Sequence, residues 1–160
     1  MIDTNKPESI LPPVEKSILV ALPLEAAFKL FTQGLTTWWP LATYSVGAAD
    51  AVSCHIEEHE GGRVYEINKD GVESPWGVVL AWEPPHRFMM SWHPGRGEDT
   101  AQELEILFES EGEGTRLDVI HRNWEILGEK TAESREGYVT GWDIVLGHYT
   151  TQTETVAAGS

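Results

Sequence analysis

The sequence predicts an α+β fold, a curved antiparallel sheet of about seven strands wrapped around a long C-terminal helix, with two short helices after the first strand. Three observations carry this. Between Ala51 and Trp124 the chain breaks into short alternating runs separated by turn residues, the texture of hairpin-connected strands. Near the C-terminus Tyr138, Trp142, Val145, Leu146 and Tyr149 recur at i, i+4, i+7, i+8 and i+11, one continuous apolar stripe on a helix. At the other end VEKSILVAL (14–22) mixes β-branched residues with charges and reads as an opening strand.

The elements follow in order. Residues 1–13, polar and ending in Pro12 and Pro13, read as a flexible leader, 14–153 as one domain, and 154–160 as a flexible tail. Pro23 suits the first turn of a helix, where its missing N–H costs nothing. Leu24, Ala27, Phe28 and Phe31 continue at helical spacing to Gly34, and LTTWWP adds a short second turn stopped by Pro40. The strand-like runs are AVSCHIEE, RVYEINK, SPWGVVLAWE, HRFMMSWH, QELEILFES and TRLDVIHRNW. The SPWGVVLAWE run looks apolar on both sides, with Val79 and Ala81 alternating with Val78 and Leu80, so its outer face is a place where a partner or a second copy could pack. The last helix is expected to be capped by Thr131 or Ser134, with Glu133 and Glu136 near its positive end. Its large aromatic stripe needs a cover, and the sheet is the only surface able to supply one.

Composition excludes several classes. Twenty-six acidic residues against 11 basic ones give a net charge of −15, and no Lys/Arg cluster is present to reward nucleic acid or an anionic membrane. No apolar run approaches the ~20 residues of a spanning helix, and the N-terminus lacks a secretory pattern. The expectation is a cytoplasmic protein. The lone Cys54 permits no intrachain disulfide; it sits in an alternating segment near Glu57 and Glu58 and reads as a small buried hydrophobe.

Several segments together resemble a known family. GGRVYEINKDG (61–71), WGVVLAWEPPHRF (76–88), Ser91-Trp92, GTRLDVIHRNW (114–124), GWDIVLGHY (141–149) and PLEAAFKLFTQGLTTWWP (23–40) are similar to the SRPBCC superfamily (START-like, helix-grip). Within it they resemble the homologues of the activator of heat shock protein 90 ATPase, over roughly residues 14–150. The resemblance implies a helix-grip fold with a pocket. The family takes its name from co-chaperones in which this domain is one part of a longer chain, and no second domain is expected in these 160 residues. Relatives in the wider superfamily include lipid carriers, hormone receptors and aromatic polyketide cyclases.

Chemistry is sparse in the pattern. His55-Ile56-Glu57-Glu58-His59 matches H-x-x-E-H, but that zinc motif needs a helix. On a strand, positions four apart lie on the order of 13 Å from each other, too far to share a metal at ~2 Å per ligand. No cofactor fingerprint or metal-ligand set is present, so no cofactor and no metal are expected. His121 shares strand parity with Leu117 and Val119. Pointing inward, it would either orient a bound carbonyl or act as a general base, or more simply bond a backbone group or the tip of Trp142 or Tyr138 and close the core. Glu66 shares parity with Val64; it is either inward, with an arginine partner (Arg63, Arg87 or Arg116) or a raised pKa, or, more simply, on a solvated face. His86 and His93 flank turns and are expected in solvent, and His148 on the exposed side of the last helix.

The seven tryptophans are the broadest signal. Most must be core; two or three lining a pocket would suit an apolar ligand. The leading expectation is therefore a module binding a small hydrophobic or aromatic molecule between the concave sheet and the last helix, lined by Trp39, Met90, Trp92, His121, Tyr138 and Trp142. An enzyme of cyclase or hydrolase type would use the same pocket with His121 or Glu66 in a catalytic role. A protein-binding regulator akin to the chaperone activator, and a homodimer, are the remaining partner readings.

Overall fold

A computed structural model describes residues 11–159. The strands are β1 (Val14–Val20), β2 (Ala51–Ile56), β3 (Arg63–Asn68), β4 (Glu73–Glu83), β5 (Arg87–Trp92), β6 (Gln102–Glu111) and β7 (Gly114–Arg122). The helices are α1 (Leu24–Thr32), α2 (Leu35–Trp38) and the 29-residue α3 (Thr131–Gly159). All seven strands form one antiparallel sheet in the order β1-β7-β6-β5-β4-β3-β2. The helix-grip expectation is met: the sheet curls around α3, which buries Trp142, Val145, Leu146 and Tyr149, the residues of the predicted stripe.

Alternation builds the inner face. Phe88, Met90 and Trp92 of β5, Leu104, Ile106 and Phe108 of β6, and Leu117, Val119 and His121 of β7 are buried, and each such apolar side chain contributes about 1.5–3 kcal/mol by leaving water. The outer face of β5–β7 instead carries an ion-pair ladder in which Glu105 receives Arg87 at 2.6 Å and Arg122 at 2.7 Å. β4 departs from strict alternation. Trp76 is skipped between the Val64–Gly77 and Tyr65–Pro75 pairs, and Leu80 between Val79–Met90 and Ala81–Met89. These two bulges turn Trp76 and Val79 into the core and leave Leu80 41% exposed. The close approach at β4 also needs a residue without a side chain, because a Cβ on Gly77 would meet the Ser91 carbonyl oxygen at 1.8 Å.

The helices dock through named bonds. The Tyr149 hydroxyl donates to the Ala27 carbonyl at 2.7 Å, tying α3 to α1, and Phe28 and Phe31 of α1 pack edge-on against Phe108. Thr36 of α2 bonds the backbone of Cys54 in both directions, at 2.8 and 3.0 Å.

Three details differ from the sequence expectation. Thr131 does not cap α3; its hydroxyl donates back to the carbonyls of Trp124 and Gly128, at 3.0 and 2.7 Å, because a helical turn (Trp124–Lys130) leads directly into the helix. Residues 154–159, read as tail, continue α3, and Thr153 is wholly buried. Residues 1–10 of the expected leader lie outside the described residues, while Pro12 and Pro13 accept hydrogen bonds from Arg135 of α3 at 2.7 and 3.1 Å.

Candidate functional site

The space between sheet and helix is mostly filled by aromatic rings. Trp39, Trp76, Trp92 and Trp142 contact one another at centroid distances of 5.1 to 6.2 Å. What remains of the interior hollow is an apolar space of about 20 Å³ among Met90, Leu104, Ile106 and these rings, far below the roughly 300–1,000 Å³ of a small-molecule site. The open volume lies at one end, where α3, the 40–47 segment and the turn after β5 meet. That cleft measures about 500 Å³, within the usual range for small-molecule sites. Trp39, Trp92 and Trp142 wall it, Tyr44 and Val46 roof it, and Gly137, Tyr138 and Gly141 of α3 form a side. Among the described residues no charged side chain lines it. A second depression of about 560 Å³ between α1 and the Pro84–Pro85 turn is bordered by Glu25, Lys29 and Glu58, a solvated charged rim.

Two buried polar groups support the cleft from behind. His121 is fully buried on β7. The Trp142 indole N–H donates to its Nδ1 at 3.0 Å, and its Nε2 lies 2.9 Å from Gln102 Oε1. An indole N–H can only donate, so Nδ1 must be unprotonated and Nε2 must carry the proton. Gln102 therefore presents its oxygen, to which Arg96 also donates at 3.3 Å, and the Gln102 Nε2 is left buried without a partner among the described residues. Burial, with Arg96 adding to it, pushes the His121 imidazole down from 6.5 to about 3. It stays neutral with both nitrogens engaged.

Glu66 is also buried, only 1% exposed, which overturns the solvated-face reading. No arginine meets it. Its Oε1 accepts from the Val46 N–H at 2.8 Å and the Trp76 indole at 2.6 Å, and its Oε2 from the Gly47 N–H at 2.7 Å. Three donors on one carboxylate substitute for a counter-charge. Glu66 thus pins the 46–47 backbone, the roof of the cleft, to β3. The backbone donors carry no side-chain signal, so the sequence could not name them.

Of the six residues expected to line a site, Trp39, Trp92, Tyr138 and Trp142 face the cleft. Met90 borders only the interior space, because the aromatic rings separate it from the opening. His121 sits behind Trp142 and Tyr138, 4.7 Å from the latter's ring centroid. Tyr44, Val46, Gly137 and Gly141 were not among the residues expected from the sequence; the two glycines share α3 with Gly147, which lies outside the cleft, so glycine alone does not mark them. His93, expected in solvent, is 3% exposed, its backbone N–H bonded to the Trp76 carbonyl at 2.6 Å. His86 and His148 are exposed. His55 lies on β2, bonded to Ser53 at 2.8 Å, and His59 beyond the strand's end. Among the described residues no group of three or more His, Cys, Asp or Glu could hold a metal ion, and no helix is long and apolar enough to cross a membrane.

A sheet gripping one long helix, with an uncharged aromatic cleft at the end of the grip, defines the helix-grip class. The chain belongs to the family described as activator of Hsp90 ATPase homolog 1-like proteins, whose model matches residues 21–148. Among solved structures it is similar to an anthrahydroquino-gamma-pyrone synthase, Txn09, at 28% identity and a TM-score of 0.60, covering 89% of this chain and 97% of that one. It is equally identical, 28%, to CalC, a self-sacrificing resistance protein from Micromonospora echinospora, with a TM-score of 0.64 and coverage of 90% and 95%. The Aha1 dimer from Colwellia psychrerythraea shares the fold at 16% identity and a TM-score of 0.61, over 88% of this chain and 94% of that one. No curated protein matches the chain in sequence.

Proposed function

We propose that this chain binds a small, neutral, flat hydrophobic or aromatic molecule in the cleft between α3 and the 40–47 segment. The observation that carries the reading is the cleft of about 500 Å³, walled by three indoles and Tyr138 with no charged side chain among the described residues. Apolar walls with a few hydroxyls favour an uncharged ligand, since a charge would be desolvated there without a partner. The two residues best suited to acid–base work argue for binding over catalysis. His121 has both nitrogens engaged, and Glu66 already accepts three hydrogen bonds. One observation favours a second reading, an enzyme acting on a fused aromatic: a synthase of an anthrahydroquino-pyrone is 28% identical over 89% of this chain.

The test uses N-phenyl-1-naphthylamine, a neutral dye that brightens in apolar sites, with the wild type and Gly137→Leu. A Cβ at Gly137 meets nothing within 4 Å, so leucine fills the cleft from the helix side without strain. It also replaces a helix-interior glycine, which stabilises by about 0.5–1 kcal/mol. The expected result is saturable one-to-one binding to the wild type, and at least tenfold weaker binding to a Gly137→Leu protein that is as stable or more so. Equal binding by both would place the dye elsewhere and sink the proposal.

A further inference from the structure

Most polar groups of the cleft wall can be followed to a partner among the described residues. The Trp39 indole donates to the Tyr44 carbonyl at 2.8 Å and that of Trp142 to His121, so both N–H groups point away from the opening. The Ser45 hydroxyl donates to the Leu41 carbonyl at 2.5 Å and accepts from the Ala48 N–H at 2.9 Å. Thr43 donates to the Pro40 carbonyl at 3.4 Å. The hydroxyls of Ser134 and Tyr44 also border the cleft, but among the described residues no hydrogen bond fixes the direction of either.

Tyr138 differs from all of these. Its hydroxyl oxygen accepts the Trp92 indole N–H at 2.9 Å. Since Trp92 can only donate, the tyrosine proton cannot lie on that line and must point elsewhere. Among the described residues no acceptor takes it, and the side chain borders the cleft. The Trp92 bond fixes the oxygen in place, so that among the hydroxyls of the described wall with a free proton Tyr138 is the one held in position by a partner. Beside it α3 presents Gly137 and Gly141, at whose positions a Cβ would meet nothing within 4 Å and only the Tyr44 ring edge at 3.4 Å. Gly137 leaves a bare stretch of helix beside the aromatic wall, a slot for a flat body, while the Tyr44 ring covers the neighbouring Gly141. Among the described residues no cation lines the slot to neutralise an anion, so the matching group is an uncharged acceptor.

We infer that Tyr138 is the specificity-determining residue of the cleft, donating its hydroxyl proton to the carbonyl oxygen of a flat, neutral aromatic ketone whose rings lie along the helix at Gly137. This rests on the cleft being a small-molecule site. It adds the ligand's functional group and the atom that reads it.

The experiment titrates tryptophan fluorescence with 9-fluorenone and with fluorene, which has the same three-ring frame without the carbonyl, in the wild type and Tyr138→Phe. The readout is the ratio of the two affinities, wild type against variant, so that the probes' different solubilities cancel. One hydrogen bond predicts that Tyr138→Phe lowers the preference for fluorenone about fivefold. A ratio unchanged within twofold while both probes bind overturns the role of Tyr138 and leaves the binding reading standing. Failure of the wild type to bind either probe overturns both. Infrared difference spectra of fluorenone on the wild type give a measurement that does not depend on how the variant folds. The bound carbonyl stretch should lie below that of fluorenone in cyclohexane, where no donor is present, and a bound band at the cyclohexane frequency refutes the hydrogen bond.

Discussion

Acid should destabilise this protein through one imidazole. Folded His121 is held near 3 by burial, against an ordinary value of 6.5, and protonating Nδ1 would set two N–H groups against each other across its 3.0 Å contact with Trp142. A folded-state value below the unfolded one means that the unfolded chain takes up the proton first. The stability held through His121 is complete above about pH 6.5 and is lost as the pH falls toward 3. From 6.5 to pH 5 the difference grows by about 1.4 kcal/mol per pH unit, or about 2 kcal/mol in all. The assay is urea unfolding followed by tryptophan fluorescence at pH 7.5 and pH 5.0, on the wild type and His121→Gln. Glutamine can accept from Trp142 and donate to Gln102 without binding a proton. The variant should therefore lose about 2 kcal/mol less than the wild type between the two pH values. Parallel losses would show that His121 takes up its proton in the folded state as readily as in the unfolded chain, and the forced-tautomer argument would be wrong.

Two other substitutions or probes report on the same architecture. Glu66→Gln turns an N–H toward one of three donors, so it should cost about 2–4 kcal/mol in urea unfolding and weaken dye binding by loosening the 46–47 roof; a loss below about 0.5 kcal/mol would mean the roof does not depend on the carboxylate. The Cys54 thiol, 2% exposed and pushed by burial up to about 12, should be silent to Ellman's reagent at pH 8 in the native protein and react promptly in urea. Rapid native reaction would require β2 to open at the sheet edge.

The distribution of legible and illegible features has a physical origin. Strand and helix periodicities are local, because a side chain's face is fixed by its own backbone conformation. Hence the stripe from Tyr138 to Tyr149 and the common face of Phe88, Met90 and Trp92 could be read directly, while the direction of that face could not. His121 was legible by the same parity, and the tip of Trp142 was among its foreseen partners. Glu66 was misread because its partners are two backbone N–H groups some 20 residues earlier and an indole brought near by a bulge. His93 was misread because its turn folds back onto the Trp76 backbone.

The sequence alone therefore determined the architecture: seven alternating runs, a long aromatic-striped helix, and a net charge that disfavours polyanionic partners. Only the tertiary structure decided where the open space lies. The concave face and the last helix seemed to enclose a central hollow, but four indoles crowd it shut and the volume moves to the end of the grip, over Gly137 and Gly141. Packing sums the volumes of residues distant in the chain. A carboxylate's place inside or outside depends on donors that any backbone carries, so neither result is written in a local pattern.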